Sequence, residues 1–161
     1  MPTAVVNNPG ATYGQCLDSA GAVFFRGNKA AGFAVLRGQI LVKDTTTAPD
    51  SYKIPTPGAA IPGPFYIATE PAASADLGVS LAIGGIWTQK SEGAIEPGDD
   101  LMLSTTSAQH LVKSTAVTTV ALLQGKVGVS LGFVDNWRSQ NVTATVQDDL
   151  MAVDLGAGYR G

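Results

Sequence analysis

Glycine or proline interrupts this chain every few residues, and few windows free of both exceed about a dozen positions. The 19 glycines and 9 prolines leave little room for helices, because neither residue is favourable in a helix interior. Where the apolar periodicity is clear, it is two, the period of a half-buried strand. Leu77, Val79, Leu81 and Ile83 alternate with Gly78, Ser80 and Ala82. Val127, Val129, Leu131 and Phe133 alternate with Gly128, Ser130 and Gly132. Further strands are predicted over 33–36, 39–43, 52–54, 65–69, 100–104, 110–113, 120–123 and 142–146. Many short strands with turn signals roughly every 8–12 residues indicate a barrel or sandwich.

An internal repeat narrows this further. Residues 77–81 recur as residues 127–131, fifty positions later, and at that offset Trp87 falls on Trp137. Residues 41–48 fall on 101–108 at an offset of sixty, and Gly38 falls on Gly98. Each copy reads as strand, Thr-rich turn, short strand, loop and a long alternating strand. A solenoid needs about three copies or more. Two copies suit a barrel or sandwich with approximate twofold symmetry.

Charged residues make up only 14% of the chain while hydrophobic residues make up 45%; an average domain is about 25% charged. Low charge is a solubility problem for a small monomer. Part of the surface is therefore expected to be covered by other subunits, the alternative being a surface of neutral polar side chains. Residues 1–43 carry Arg26, Lys29, Arg37 and Lys43 against Asp18 alone, and the remainder is acidic. Nucleic acid is not expected as a partner, because its binders concentrate basic residues on one face. Cys16 is the single cysteine, so no intrachain disulfide can form. The first ten residues lack the charged and apolar regions of a signal peptide. The longest uncharged stretch, residues 54–69, is broken by Pro55, Pro57, Pro62 and Pro64, so no membrane-spanning helix is expected.

Catalytic chemistry finds little to use. His110 is the only histidine, and a Ser-His-Asp or Cys-His arrangement must employ it. It falls in a predicted strand and is expected to be an ordinary surface residue, with Cys16 in an unpatterned segment. One histidine and one cysteine exclude the usual zinc sets. The acidic pairs Asp99-Asp100 and Asp148-Asp149 point to opposite faces of a strand and read as turns. The terminal Gly156-Ala157-Gly158-Tyr159-Arg160-Gly161 spells a dinucleotide fingerprint, but no helix follows to receive a pyrophosphate. No enzyme, cofactor or metal is expected. Trp87 and Trp137 are expected to cap core strands rather than to stack on a sugar or base.

The stretch Gly93-Ala94-Ile95-Glu96-Pro97-Gly98-Asp99-Asp100-Leu101-Met102-Leu103, then His110-Leu111-Val112-Lys113, then Ala121-Leu122-Leu123-Gln124-Gly125-Lys126-Val127-Gly128-Val129, resembles the capsid decoration (cement) proteins of tailed phages and related viruses. Gly84-Gly85-Ile86-Trp87 before it fits the same pattern. The resemblance covers roughly residues 33–134. It implies a β-barrel or β-tulip-like domain, a homotrimer, and a virion structural protein that binds the major capsid protein and stabilises the shell without catalysis. Synthesis in the host cytoplasm and a place on the capsid surface follow from it, with no membrane involved. A ligand- or carbohydrate-binding barrel on a virion or cell surface is the alternative.

The fold expected is thus all-β, a small barrel with an internal strand-unit duplication and terminal arms. The divisions are an N-terminal arm over 1–32, a barrel over 33–137 and a C-terminal arm over 138–161. Arms with β-prone runs can add a strand to a neighbour's sheet. Phe24, Phe25, Arg26, Trp137, Arg138, Val142 and Val146 are the expected partner-binding residues.

Overall fold

A computed structural model describes residues 11–56, 63–107, 109–114, 119–138 and 144–155. The described strands are β1 (Cys16–Asp18), β2 (Val23–Lys29), β3 (Ile40–Lys43), β4 (Ser51–Lys53), β5 (Tyr66–Ala68), β6 (Gly78–Ile83), β7 (Ile86–Ser91), β8 (Asp100–Leu103), β9 (His110–Lys113), β10 (Lys126–Phe133) and β11 (Leu150–Leu155). A short helix α1 (Val120–Gln124) precedes β10, and a 3-10 turn (Val134–Asn136) follows it.

The strands close two barrels. In the first, the order is β2-β4-β3-β5-β6, returning to β2. In the second it is β7-β9-β8-β10-β11, returning to β7. Each barrel has one parallel contact, β2–β4 and β7–β9, and is otherwise antiparallel. The connectivity is the same, so the duplicated unit is a whole five-stranded barrel.

Turn chemistry confirms the offset of sixty. Gln39 Oε1 accepts the Leu36 N–H at 2.7 Å, and Asp99 Oδ2 accepts the Glu96 N–H at 2.8 Å. Gly38 N–H donates to Ala68 O, and Gly98 N–H to Ser130 O, both at 2.7 Å. In the Thr-rich turns, Asp44 Oδ1 accepts the amides of Thr46 and Thr47, as Ser104 Oγ accepts those of Thr106 and Ser107. The offset of fifty does not survive. β10 is the counterpart of β5, and the counterpart of β6 is β11, since β6 closes on β2 and β11 on β7. Residues 77–81 and 127–131 resemble one another because both are alternating strands buried on one side.

Three further expectations change. Residues 23–29 and 150–155 are staves of the two barrels, although the sequence assigned them to arms; without them neither sheet could close. Residues 120–123 form α1 instead of a strand. Every stave of the second barrel already has two neighbours, so this run has no edge to join, and β propensity depends on such a partner. Residues 33–36 contribute only the Val35–Ala72 bridge.

The first interior is built from Val35, Leu41, Ala68, Ala72, Val79 and Leu81, with Phe25, Tyr52 and Tyr66 packed against it. Ile40, Val42 and Ile67 alternate with Leu41 and Ala68, so they face out of that barrel. They form one buried cluster with Trp87, Ile95, Leu101, Met151 and Val153 of the second barrel. The two barrels therefore share a core.

Candidate functional site

The segment before β2 ties the barrels together. Gly14 N–H donates to Thr88 O at 3.2 Å, and Thr88 N–H to Gln15 O at 3.0 Å. The carbonyl of Gly38, at the tip of a turn in the first barrel, accepts Tyr13 Oη–H at 3.0 Å and Gln89 Nε2–H at 2.9 Å. Arg37 Nη2 donates to Thr12 Oγ1 at 2.8 Å. Burial pushes the Tyr13 phenol well above its usual pKa range, so it remains a hydrogen-bond donor. Gly14 and Gly38 pass so closely that a Cβ on Gly38 would lie 2.5 Å from the Gly14 Cα.

His110 is not the exposed strand residue that the sequence indicates. Its side chain is 15% exposed, with Nδ1 2.7 Å from Ser107 Oγ and Nε2 2.6 Å from Asp148 Oδ1. The contact with His110 holds the Asp148 carboxyl below the usual carboxylate range. This is the bonding order of a catalytic relay, but its setting is that of a clasp. Asp148 is 65% exposed, and the Ser107 and Gln109 amides donate to Ser104 Oγ and Ser107 Oγ. The clasp joins the β8–β9 turn to the loop before β11. The sequence reading missed Ser107, three residues before His110, where the short spacing could have pointed to it; Asp148 lies 38 residues away from His110 and carries no such signal. Cys16 is elsewhere, paired with Trp87 on β1.

The acidic pairs act as turn locks and ion pairs. Asp99 also meets Lys113 at 3.3 Å, Asp100 meets Lys126 at 2.8 Å, and Asp149 Oδ2 accepts the Val146 N–H at 2.9 Å. Among the described residues, no three of His, Cys, Asp and Glu converge to hold a metal ion, and no helix is long and apolar enough to cross a membrane.

The expected partner-binding residues fall in several places. Phe24 is 54% exposed, with its ring centroid 6.0 Å from that of Trp87. Phe25 points the other way, into an aromatic cluster 5.9 Å from Tyr52 and 5.7 Å from Tyr66, so its ring belongs to the barrel. Arg26 is exposed and donates to Ser80 Oγ at 3.0 Å. Arg138 lies over the Trp137 ring at 4.7 Å and reaches Asp18 at 4.0 Å. Trp137 Nε1 is buried with no hydrogen-bond partner among the described residues. Val146 is 58% exposed, and Val142 lies outside the described residues. The sequence missed Leu36, Leu77 and Val120, which are 49%, 69% and 70% exposed. Apolar residues next to turns carry no signal of which way they face.

No family model and no curated protein matches this chain.

Proposed function

We propose that this protein is a virion structural protein, a capsid decoration (cement) protein that binds the major capsid protein on the outside of the shell. One observation carries the reading: both barrels expose aliphatic side chains on their connecting segments. Leu36 and Leu77 belong to the first barrel, Val120 and Val146 to the second. Because the barrels share a core, these contacts sit on one rigid body. Such a body can touch two neighbouring capsid subunits at once and oppose their separation, and repetition over the shell multiplies a modest contact energy. The small share of charged residues and the resemblance of the Glu96-Pro97-Gly98-Asp99 region support the same reading.

The test is binding to capsids stripped of their decoration protein, followed by thermal disruption of the shells. Saturable binding and a raised disruption temperature are expected, and replacing Leu77 and Val146 together by Ser should weaken both. A folded protein indifferent to capsids would end this reading. The carbohydrate alternative loses one of its two platforms, since Trp87 is only 2% exposed; Trp137 is half-buried, with Arg138 over one face of its ring.

A further inference from the structure

β2 and β7 hold equivalent places in the two barrels, yet the edges of β7 are more fully closed. One edge of β7 carries β11 along its length. On the other, β9 pairs with Lys90 and Ser91, and the chain's own residues 14–18 take the rest, through Thr88, Trp87 and Ile86. β2 carries β6 along one edge, and β4 takes the other only at Asn28 and Lys29. Among the described residues, no strand pairs with that second edge over residues 23–27.

The backbone of this stretch faces outward in a defined phase. Lys29 N–H donates to Leu77 O, on the β6 side. Successive amides alternate between edges, so those of Phe25 and Gly27 also face β6. The amides and carbonyls of Phe24 and Arg26 face the open edge, as Ile86 and Thr88 face the covering segment in the second barrel. The side chains here are accessible: Val23 is 59% exposed, Phe24 is 54% exposed, and Arg26 is exposed. An open edge of β-prone residues is a template for another strand.

We propose that this edge pairs antiparallel with the same edge of a second copy, about a twofold axis at Phe25. The phase of the amides favours this register. Centred there, Phe24 and Arg26 of each copy face Arg26 and Phe24 of the other, and the two pairs exchange four N–H···O bonds. Phe25, whose polar groups are turned to β6, falls at the centre, where an antiparallel ladder makes no bonds. Val23 lies opposite Gly27. The only charged side chain in the stretch, Arg26, meets an aromatic ring instead of its own copy, a favourable cation–aromatic pair. The stretch is its own complement, as an isologous contact requires. A dimer departs from the homotrimer that the family resemblance implies, and it does not rest on capsid binding, which is measured separately.

The experiment is light scattering on the full-length protein over a range of concentrations. The wild type is expected to show the mass of two chains. Arg26→Pro removes an amide that only the second copy would use, and Phe24→Lys places a cation against Arg26. Both should give the mass of one chain, with unchanged circular dichroism; Phe24→Lys keeps the test open if the proline unfolds the barrel. In a Cys16→Ser background, a mixture of Phe24→Cys and Arg26→Cys chains should form a mixed disulfide, while Phe24→Cys alone should not. A monomeric wild type, which would leave the edge to another protein's strand, overturns the proposal. So does a trimer, or a dimer that Phe24→Lys leaves intact.

Discussion

The two barrels share connectivity and turn chemistry, but they fill equivalent positions differently. Val35, Leu41, Val79 and Leu81 in the first correspond to Ile95, Leu101, Met151 and Val153 in the second, all buried. Ala68 and Ala72 of the first become Ser130 and Thr145, each 0% exposed. Those hydroxyls are satisfied locally, since Ser130 Oγ accepts the Gly132 N–H and Thr145 Oγ1 donates to Ile95 O. A barrel interior thus tolerates polar atoms when the backbone beside them supplies a partner. At the end of the first stave the difference is larger. Lys29 is 2% exposed and its ammonium donates to the carbonyls of Ala30, Ser74 and Asp76. In the second barrel, Ser91 does the corresponding work with one bond to Val146 O. The same turn is held by a buried cation in one copy and by a hydroxyl in the other.

The equivalence of the two interiors is open to a direct test. Leu41→Ala and Leu101→Ala each empty a fully buried site and should cost about 3–5 kcal/mol. Because the core is shared, each variant should unfold in one cooperative transition, read by calorimetry. Two separated transitions would break the picture of a single body. Next in size comes the buried ammonium. Lys29→Met takes the donor from Ala30 O and Asp76 O, while Ser74 O keeps the Gly32 N–H; it should cost about 2–3 kcal/mol, against about 1 kcal/mol for Ser91→Ala, both measured by urea denaturation. Equal costs would mean that the cation contributes no more than a hydroxyl.

Gly38 and Gly98 separate local strain from tertiary contact. Both have positive φ, 92° and 93°, which an alanine adopts only at a cost. A Cβ on Gly98 meets nothing within 4 Å, while one on Gly38 collides with Gly14. Gly98→Ala should therefore cost about 1 kcal/mol and Gly38→Ala about 2–3 kcal/mol, by the same denaturation. The smallest effects concern acid. The amides of Thr46 and Thr47 hold the Asp44 carboxyl below its usual range, and His110 does the same for Asp148. A depressed carboxyl stabilises the fold above its unfolded pKa of about 3.9, and that contribution is lost as pH falls through the lower folded value. Asp44→Asn and Asp148→Asn should each lower stability modestly at neutral pH, where the contribution is fully present, and flatten the acid limb below about pH 4, so that variant and wild type converge in acid.

Much of the fold was legible because its signals are local. Glycine spacing, period-two alternation and the Thr-rich turns located seven of the eleven described strands. The repeated Gly38 and Gly98 marked equivalent turns, since both need a backbone that glycine adopts easily. The candidate surface was less legible. Phe24 and Phe25 are adjacent and chemically alike, yet one faces solvent and the other an aromatic cluster. Only the pairing of β2 with β6 fixes which is which.

The sequence by itself determined that this chain is all-β, that it carries a duplicated unit, and where many of its turns fall. These depend on backbone preferences and on the alternation of side chains along a strand, which act over a few residues. The tertiary structure decided that the unit is a whole barrel, that β6 corresponds to β11, and that residues 23–29 and 150–155 close the sheets. It also decided that, among the described residues, one edge of β2 has no strand beside it over residues 23–27. Strand pairing joins residues far apart in the chain through backbone groups that every residue carries, so side-chain identity alone does not encode the partner.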